Sequence, residues 1–232
     1  MTDAVEVRHL TKDFRAVRAL DDLTLSMPAG HIVGLMGDNG AGKTTLLKIL
    51  AGVIADWTGE ATVLGQAPGP DTKSQVAYLP DAQFLPDSFK PEDCIELYSD
   101  FFADFDAQRA RDTIQFYGLP FDRTLKEMSK GMQEKAQIAL VMARRAKVYL
   151  LDEPISGVDP AARQVLLDGI IRNFDSDQLM VISTHLLHDL EPIIDRVVFL
   201  RGGRLLVDGD ADELRAQSGT DLEGFFRKVY QP

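Results

Sequence analysis

The sequence predicts an α/β protein with a mainly parallel sheet and a block of helices inserted into it. Short continuous apolar runs, typical of parallel strands buried on both faces, occur at residues 31–36, 148–151 and 179–183. A glycine-rich turn and then a helical pattern follow the first of these runs. Residues 81–146, in contrast, contain few β-type runs, so we expect a helical subdomain there.

Composition limits the class of protein. With 232 residues, of which 45% are hydrophobic, the chain can form one large globular domain. Its single cysteine, Cys94, excludes an internal disulfide framework and suits a reducing compartment. A formal net charge of −11 argues against a broad nucleic-acid-binding surface. From the sequence we expect neither a signal peptide nor an apolar run of the ~20 residues that span a bilayer.

Before residue 80 the sequence predicts short strands and one helix. The strand segments are residues 5–7, 23–27, 31–36, 60–64 and 75–79. The helix covers residues 44–51, and Gly52 follows it at the usual place of a helix C-cap. Phe14 lies in the predicted loop between the first two strands. An aromatic residue there could stack on a nucleobase, although a core position is the commoner outcome for phenylalanine.

The middle block is predicted to be a helical subdomain within a single domain that spans the chain. Its helices are expected at residues 91–102, 106–117 and 131–146. The loop before them, residues 80–91, is rich in proline and contains apolar residues that look exposed, namely Phe84, Leu85 and Phe89. The core is then expected to consist of residues 1–80 and 147–232.

After residue 146 the α/β pattern resumes. Strands are predicted at residues 148–151, 179–183, 196–201 and 204–208, the last two as a hairpin, and helices from residue 160, at 210–217 and at 221–230. Asp159 and Pro160 mark the start of the first of these helices, because aspartate suits the N-cap and proline the first helical position.

The turn at residues 37–45 carries the strongest chemical signal. It contains Gly-x-x-x-x-Gly-Lys-Thr between a strand and a helix, which is the pattern of a phosphate-binding P-loop. Its main-chain N–H groups and the helix N-terminus form an anion site. We expect Lys43 to reach the β- and γ-phosphates and Thr44 to offer its hydroxyl to Mg²⁺. The predicted phosphate-binding residues are Asn39, Gly40, Ala41, Gly42, Lys43, Thr44 and Thr45.

Polar residues follow two core strands at the edge where open α/β sheets bind ligands. Asp152 directly follows the run at residues 148–151 and is predicted to hold Mg²⁺. The adjacent Glu153 could polarise a water for attack on the γ-phosphate. His185 follows the run at residues 179–183 and could hydrogen-bond the γ-phosphate. A purely structural role is the alternative for these residues. A lone histidine is more often structural, but its place directly after a strand favours the functional role for His185.

A second anion site is suggested at residues 129–132. Ser129 and Gly131 would leave a hydroxyl and N–H groups free at the start of the third helix. If both helix ends serve one triphosphate, a partner chain could supply the second. Taken alone, an ordinary capped helix explains the same residues.

Together these motifs resemble the ATP-binding subunits of ABC transporters along almost the whole chain. The correspondence places the P-loop at residues 37–45, the signature motif at 128–132, the Walker B strand at 148–152, the D-loop at 156–159 and the switch histidine at 185. The resemblance implies a P-loop NTPase (RecA-like) core with an antiparallel β subdomain and an inserted α-helical subdomain. It implies catalytic roles for Glu153 and His185, and adenine stacking by Phe14.

The resemblance also implies the partners. Two ATP-binding subunits, identical or different, would enclose Mg-ATP between one chain's P-loop and the other's signature residues Ser129, Lys130, Gly131 and Met132. Asp159 is the D-loop residue that the resemblance implies. Closure would drive transmembrane permease subunits, which would hold the protein on the cytoplasmic face of the membrane. No nucleic-acid partner is expected.

Two alternatives remain open. A soluble ABC-type ATPase could act on DNA or ribosomes, but the chain shows no long coiled-coil pattern and no second such domain. A nucleotide-binding regulator without turnover is the other, and the presence of Glu153 and His185 counts against it.

The sequence departs from the family pattern at two places. The family signature usually reads Leu-Ser-Gly-Gly-Gln. In this chain Lys130 replaces a glycine and Met132 replaces the glutamine. Similar Ser-Lys-Gly-Met forms occur in exporter-like branches, which favours export. After the strand at residues 75–79, Pro80 and Asp81 replace the usual glutamine, and Asp81 could still approach Mg²⁺ with a charge instead of a carbonyl dipole.

Overall fold

A computed structural model of the protein describes residues 3–230. The strands are β1 (Asp3–Phe14), β2 (Val17–Pro28), β3 (His31–Met36), β4 (Thr58–Val63), β5 (Val76–Leu79), β6 (Val148–Asp152), β7 (Leu179–Thr184), β8 (Arg196–Arg201) and β9 (Arg204–Asp210). The helices are α1 (Lys43–Leu50), α2 (Pro91–Phe101), α3 (Ala107–Phe116), α4 (Lys130–Met142), α5 (Pro160–Ile171), α6 (Leu187–Leu190), α7 (Ala211–Ser218) and α8 (Leu222–Tyr230), with a 3-10 turn at Leu125–Glu127.

The strands form two sheets. The larger has the order β5-β6-β7-β3-β8-β9, in which every pair is parallel except the antiparallel β8–β9 hairpin. The smaller is antiparallel, with the order β2-β1-β4. The predicted fold class, an α/β core with an antiparallel β subdomain and inserted helices, is therefore confirmed.

The central strands of the larger sheet are covered on both faces. In β6, Val148 and Leu150 belong to the core shared with α1 and the small sheet, whereas Tyr149 and Leu151 belong to the core shared with α4. All five residues of β6 are buried. Because alternate side chains of a strand point to opposite faces, this double burial explains the continuous apolar run.

The first hairpin is longer than the sequence predicts. β1 and β2 have 12 residues each, so Phe14 ends a strand and is paired with Val17, rather than lying in a loop. The register of this pair shifts several times, and His9 and Asp22 have positive φ values of 51° and 54°. Such bulges interrupt the alternation of apolar residues, which is why the sequence predicts only short strands here.

Two predictions about the middle block are wrong. Leu85 is 5% exposed and packs in the core with the helices, and Phe89 is only partly exposed, whereas Phe84 is exposed as predicted. The third helix, α4, ends at Met142 instead of residue 146, because Arg144 forms an isolated antiparallel bridge with Phe105. The division into a core lobe and a helical subdomain stays a prediction.

Among residues 3–230, no helix combines the length and apolar character that crossing a membrane requires.

Candidate active site

The turn between β3 and α1 is tightly enclosed by neighbouring backbone. Gly37 and Gly42 have φ values of 148° and 103°. A Cβ atom on Gly37 would lie 2.4 Å from the carbonyl oxygen of Leu200, and one on Gly42 would lie 2.6 Å from that of Ala19. Glycine is therefore required at both positions by backbone conformation and by space.

A cavity of about 290 Å³ lies above this turn, and we call it the phosphate cavity. Its lining consists of Val17, Ala19, Asp38, Asn39, Gly40, Ala41, Gly42, Lys43, Thr44, Thr45, Asp81 and Glu153. All seven predicted phosphate-binding residues thus line one cavity. Its location at the N-terminus of α1 suits an anion, because free N–H groups and the helix dipole are directed there.

The Lys43 side chain is held inside the site. It is 6% exposed, and its Nζ donates to the carbonyl oxygen of Gly37 at 2.7 Å. The same Nζ lies 3.6 Å from Oε1 of Glu153. A buried ammonium with a main-chain and a carboxylate partner is poised beside the cavity, where it can bind phosphate oxygens as a point charge.

Asp152 has the surroundings of a metal ligand. It is 1% exposed, and its Oδ1 accepts hydrogen bonds from Ser183 Oγ at 2.6 Å and Thr44 Oγ1 at 3.1 Å. Its Oδ2 is buried without a hydrogen-bond partner among the described residues. Burial raises the pKa of Asp152, and the two hydroxyl donors partly offset this. An unpaired carboxylate oxygen beside a threonine hydroxyl fits a hard cation such as Mg²⁺.

Glu153 has a strained backbone conformation, and its carboxylate lies between Lys43 and His185. Its φ is 51°, in the left-handed region, and its N–H donates to Ser183 O at 3.1 Å and to Ser183 Oγ at 3.0 Å. Its Oε2 lies 2.9 Å from Nδ1 of His185, whose side chain is 52% exposed. Strain of this kind in a non-glycine residue is typical of functional sites. The structure therefore brings Lys43, Asp152, Glu153 and His185 together.

Other predicted site residues lie at the margin. Asp81 lines the phosphate cavity, and its charge contributes to the raised pKa of Asp152. Phe14 is 44% exposed, so the core position that the sequence alone favours is wrong. The roles of Asp81 in metal binding and of Phe14 in stacking stay predictions.

The signature residues belong to a different surface. Ser129 caps α4, where its Oγ accepts from the N–H of Met132 at 3.3 Å. Lys130 has a 78% exposed side chain, and within the described chain none of residues 129–132 lines the phosphate cavity. Asp159 caps α5 by accepting from the N–H of Ala162 at 3.2 Å. The in-trans roles of these residues stay predictions.

Three residues near the site were not predicted to belong to it. Ser183 binds both Asp152 and Glu153, and its signal was a polar residue at the end of an apolar strand. Val17 and Ala19 line the cavity from β2, which was not recognised as a strand at that point.

Comparisons with known proteins bear on this site. The family model described as ABC transporter matches residues 20–156. An uncharacterised ABC transporter ATP-binding protein of Methanocaldococcus jannaschii is 30% identical over 221 residues, which is 92% of this chain and 80% of that protein. The daunorubicin/doxorubicin resistance ATP-binding protein of Streptomyces peucetius is 30% identical over 232 residues, covering 95% of this chain and 69% of that protein.

A solved structure described as the ATP-binding subunit of an ABC transporter superposes with a TM-score of 0.87. It is 28% identical, and the match covers 98% of this chain and 100% of that one. The resemblance inferred from the motifs is confirmed, as is the enzyme class of ATP hydrolase. The chain belongs to the ABC transporter family, as one of its ATP-binding, ATP-hydrolysing subunits.

Proposed function

We propose that this subunit binds Mg-ATP at the phosphate cavity and hydrolyses it at an interface with a second ATP-binding subunit. Hydrolysis would drive a solute through separate membrane-spanning subunits, in the direction of export, from the cytoplasmic face of the membrane. The observation that carries the proposal is that two residues lining the phosphate cavity are bonded to the strand-end groups: Thr44 donates to Asp152, and Glu153 lies 2.9 Å from His185.

Each of these residues has a distinct part in hydrolysis. Lys43 binds the β- and γ-phosphates as they displace Glu153 from its ammonium group. Thr44 and Asp152 would hold Mg²⁺, which would supply positive charge to neutralise the phosphates. Glu153 accepts the proton of the attacking water at its carboxylate, and His185 orients that carboxylate through the 2.9 Å hydrogen bond.

Replacing Lys43 with alanine tests the phosphate site. The Lys43→Ala variant should bind ATP about 10- to 100-fold more weakly, because a charged hydrogen bond to the phosphates is lost. Equilibrium ATP binding and phosphate release are the measurements. Lys48→Ala, on the same helix but outside the cavity lining, is the matched control and should bind as the parent does. Equal affinity of the parent and Lys43→Ala would contradict the site.

A second subunit is proposed because the exposed N-terminus of α4 does not line the phosphate cavity of the same chain. Ser129 and Lys130 offer a hydroxyl, N–H groups and a positive charge at a helix N-terminus, which suits a phosphate held by another chain.

We propose export as the direction of transport. The Ser-Lys-Gly-Met signature favours it, and so does the Streptomyces relative, which is described as a drug-resistance protein.

A membrane partner is proposed to dock between the core and the inserted helices. A groove of about 170 Å³ lies there, lined by residues that include Val53, Tyr78 and Phe102. The lining also includes Tyr98, and Val53 is 58% exposed. An exposed valine beside aromatic rings suits an apolar segment of a partner.

The adjacent loop connects this region to the signature helix. Phe84 is 38% exposed on the loop, and its N–H donates to Oε1 of Gln137 at 3.2 Å. Gln137 is buried on α4, the helix that Ser129 caps. Movement of the loop on docking would therefore be transmitted to α4 and the signature residues.

Introducing a charge into the groove tests docking. Val53→Glu should lower the amount of hydrophobic subunit that co-purifies from membranes by about tenfold or more, because the interface would bury an unpaired carboxylate. ATP binding should not change. Val165→Glu, an exposed valine on α5, is the control and should leave co-purification intact. Absence of any hydrophobic subunit with the parent would favour a soluble ATPase instead.

A further inference from the structure

The side chain of Lys12 lies almost fully buried beneath Phe14. It is 4% exposed, although lysine is among the residues least often buried. Its Nζ lies 2.7 Å from Oδ1 of Asp56 and 4.6 Å from the centre of the Phe14 ring. The ammonium is thus held at one place between a carboxylate and an aromatic face.

The anchor for this ammonium comes from another element. Asp56 lies in the segment between α1 and β4, and its side chain is 88% exposed. A hydrogen bond and the charge of Lys12 lower the pKa of Asp56, which stays ionised at neutral pH. The pair therefore connects β1 to the segment that follows the P-loop helix.

Phe14 is the strand partner of a residue that lines the phosphate cavity. Phe14 is paired with Val17 across the β1–β2 turn, and Val17 lines that cavity. The ammonium lies over the ring, and 44% of the residue is exposed.

We propose that Lys12 is a positioning residue that fixes the Phe14 ring and prepares the face opposite the ammonium for the adenine of ATP. A cation is attracted to the negative face of an aromatic ring and draws electron density toward itself. The opposite face then repels the electrons of a stacked base less strongly. The proposal rests on the proposed function, in which Phe14 stacks on adenine.

A purely structural role for Lys12 is the competing explanation, and the choice of ligand separates the two. Inorganic tripolyphosphate has no base, so it occupies the P-loop without contacting Phe14. If Lys12 only ties β1 to its neighbour, its loss would alter the site for both ligands. If it prepares the ring, its loss affects ATP alone.

Titration calorimetry of the full chain with Mg-ATP and with Mg-tripolyphosphate tests the proposal. Lys12→Met, which keeps the length of the side chain, should weaken ATP binding about three- to tenfold and leave tripolyphosphate binding within about twofold of the parent. Lys12→Arg retains a cation and should recover most of the ATP affinity. In a Phe14→Leu background, Lys12→Met should have no further effect on ATP binding.

Asp56→Asn provides a second variant that does not disturb the buried lysine stem. It loosens the ammonium and should weaken ATP binding less than Lys12→Met, again without affecting tripolyphosphate. Equal losses for the two ligands, or a full effect of Lys12→Met in the Phe14→Leu background, would overturn the role of Lys12. A parent that binds neither ligand would instead overturn the proposed function.

Discussion

Replacement of Glu153 by glutamine is expected to slow ATP hydrolysis by about 100- to 10,000-fold while ATP still binds. An amide of the same shape cannot accept the proton of the attacking water, whereas the Glu153 carboxylate can. Lys43 loses its carboxylate partner at 3.6 Å and remains available to the phosphates. The variant should therefore accumulate as an ATP-bound dimer, which size-exclusion chromatography with Mg-ATP and a phosphate-release assay would measure.

Glu191→Gln is the matched control for this experiment. The side chains of Glu191 and Glu153 are 16% and 15% exposed, so the two substitutions remove a carboxylate of similar burial. Glu191 pairs with Arg215 and accepts the N–H of Leu222, away from the phosphate cavity. Its hydrolysis rate should stay within about twofold of the parent, given equal folding of both variants. Unchanged phosphate release from Glu153→Gln would remove the assignment of Glu153 as the base.

The P-loop and the strand-end carboxylates could be predicted because their information is local. Residues 37–45 are contiguous, and their glycines, lysine and threonines specify the turn. Asp152 and His185 are distant in sequence, but each directly follows an apolar strand. Since parallel strands end at a common edge, the sheet brings them to the same place. The contact between Glu153 and His185 follows from this topology.

Residues whose position depends on a distant partner were harder to predict. Leu85 looks exposed within a proline-rich loop, yet the helical block covers it. Val17 reaches the cavity only because an irregular hairpin extends β2 to that point. The periodicity of apolar residues predicts neither position. The burial of Leu85 depends on packing between elements, and the position of Val17 depends on strand bulges.

The placement of the signature residues is a third kind of problem. Ser129 and Lys130 were identified from their motif, and the structure shows them at an exposed helix start. Their proposed ligand would be bound by another subunit, so one chain alone would not show the contact. Sequence can identify such residues by pattern, and a binding experiment with the assembled dimer is needed to observe their role.

Arg144 is expected to make the largest single contribution to stability outside the active site. It is 4% exposed, and its Nε donates to the Asp104 carboxylate at 3.0 and 3.2 Å. Its guanidinium also donates to the carbonyl oxygens of Lys73, Ser74 and Val76 and stacks on the ring of Phe102 at 4.1 Å. One side chain thus ties the end of α4 to the segment that leads into β5 and to the end of α2.

Substituting Arg144 with alanine should lower the free energy of unfolding by about 3–5 kcal/mol, because Asp104 and three carbonyl groups would lose their partner. Chemical denaturation followed by circular dichroism would measure the change. The neighbouring Arg145 is the control, since its 71% exposed side chain pairs with Asp106 at the surface and its loss should change stability little. Similar losses for the two variants would contradict a structural centre at Arg144, because burial is the property that separates these adjacent arginines.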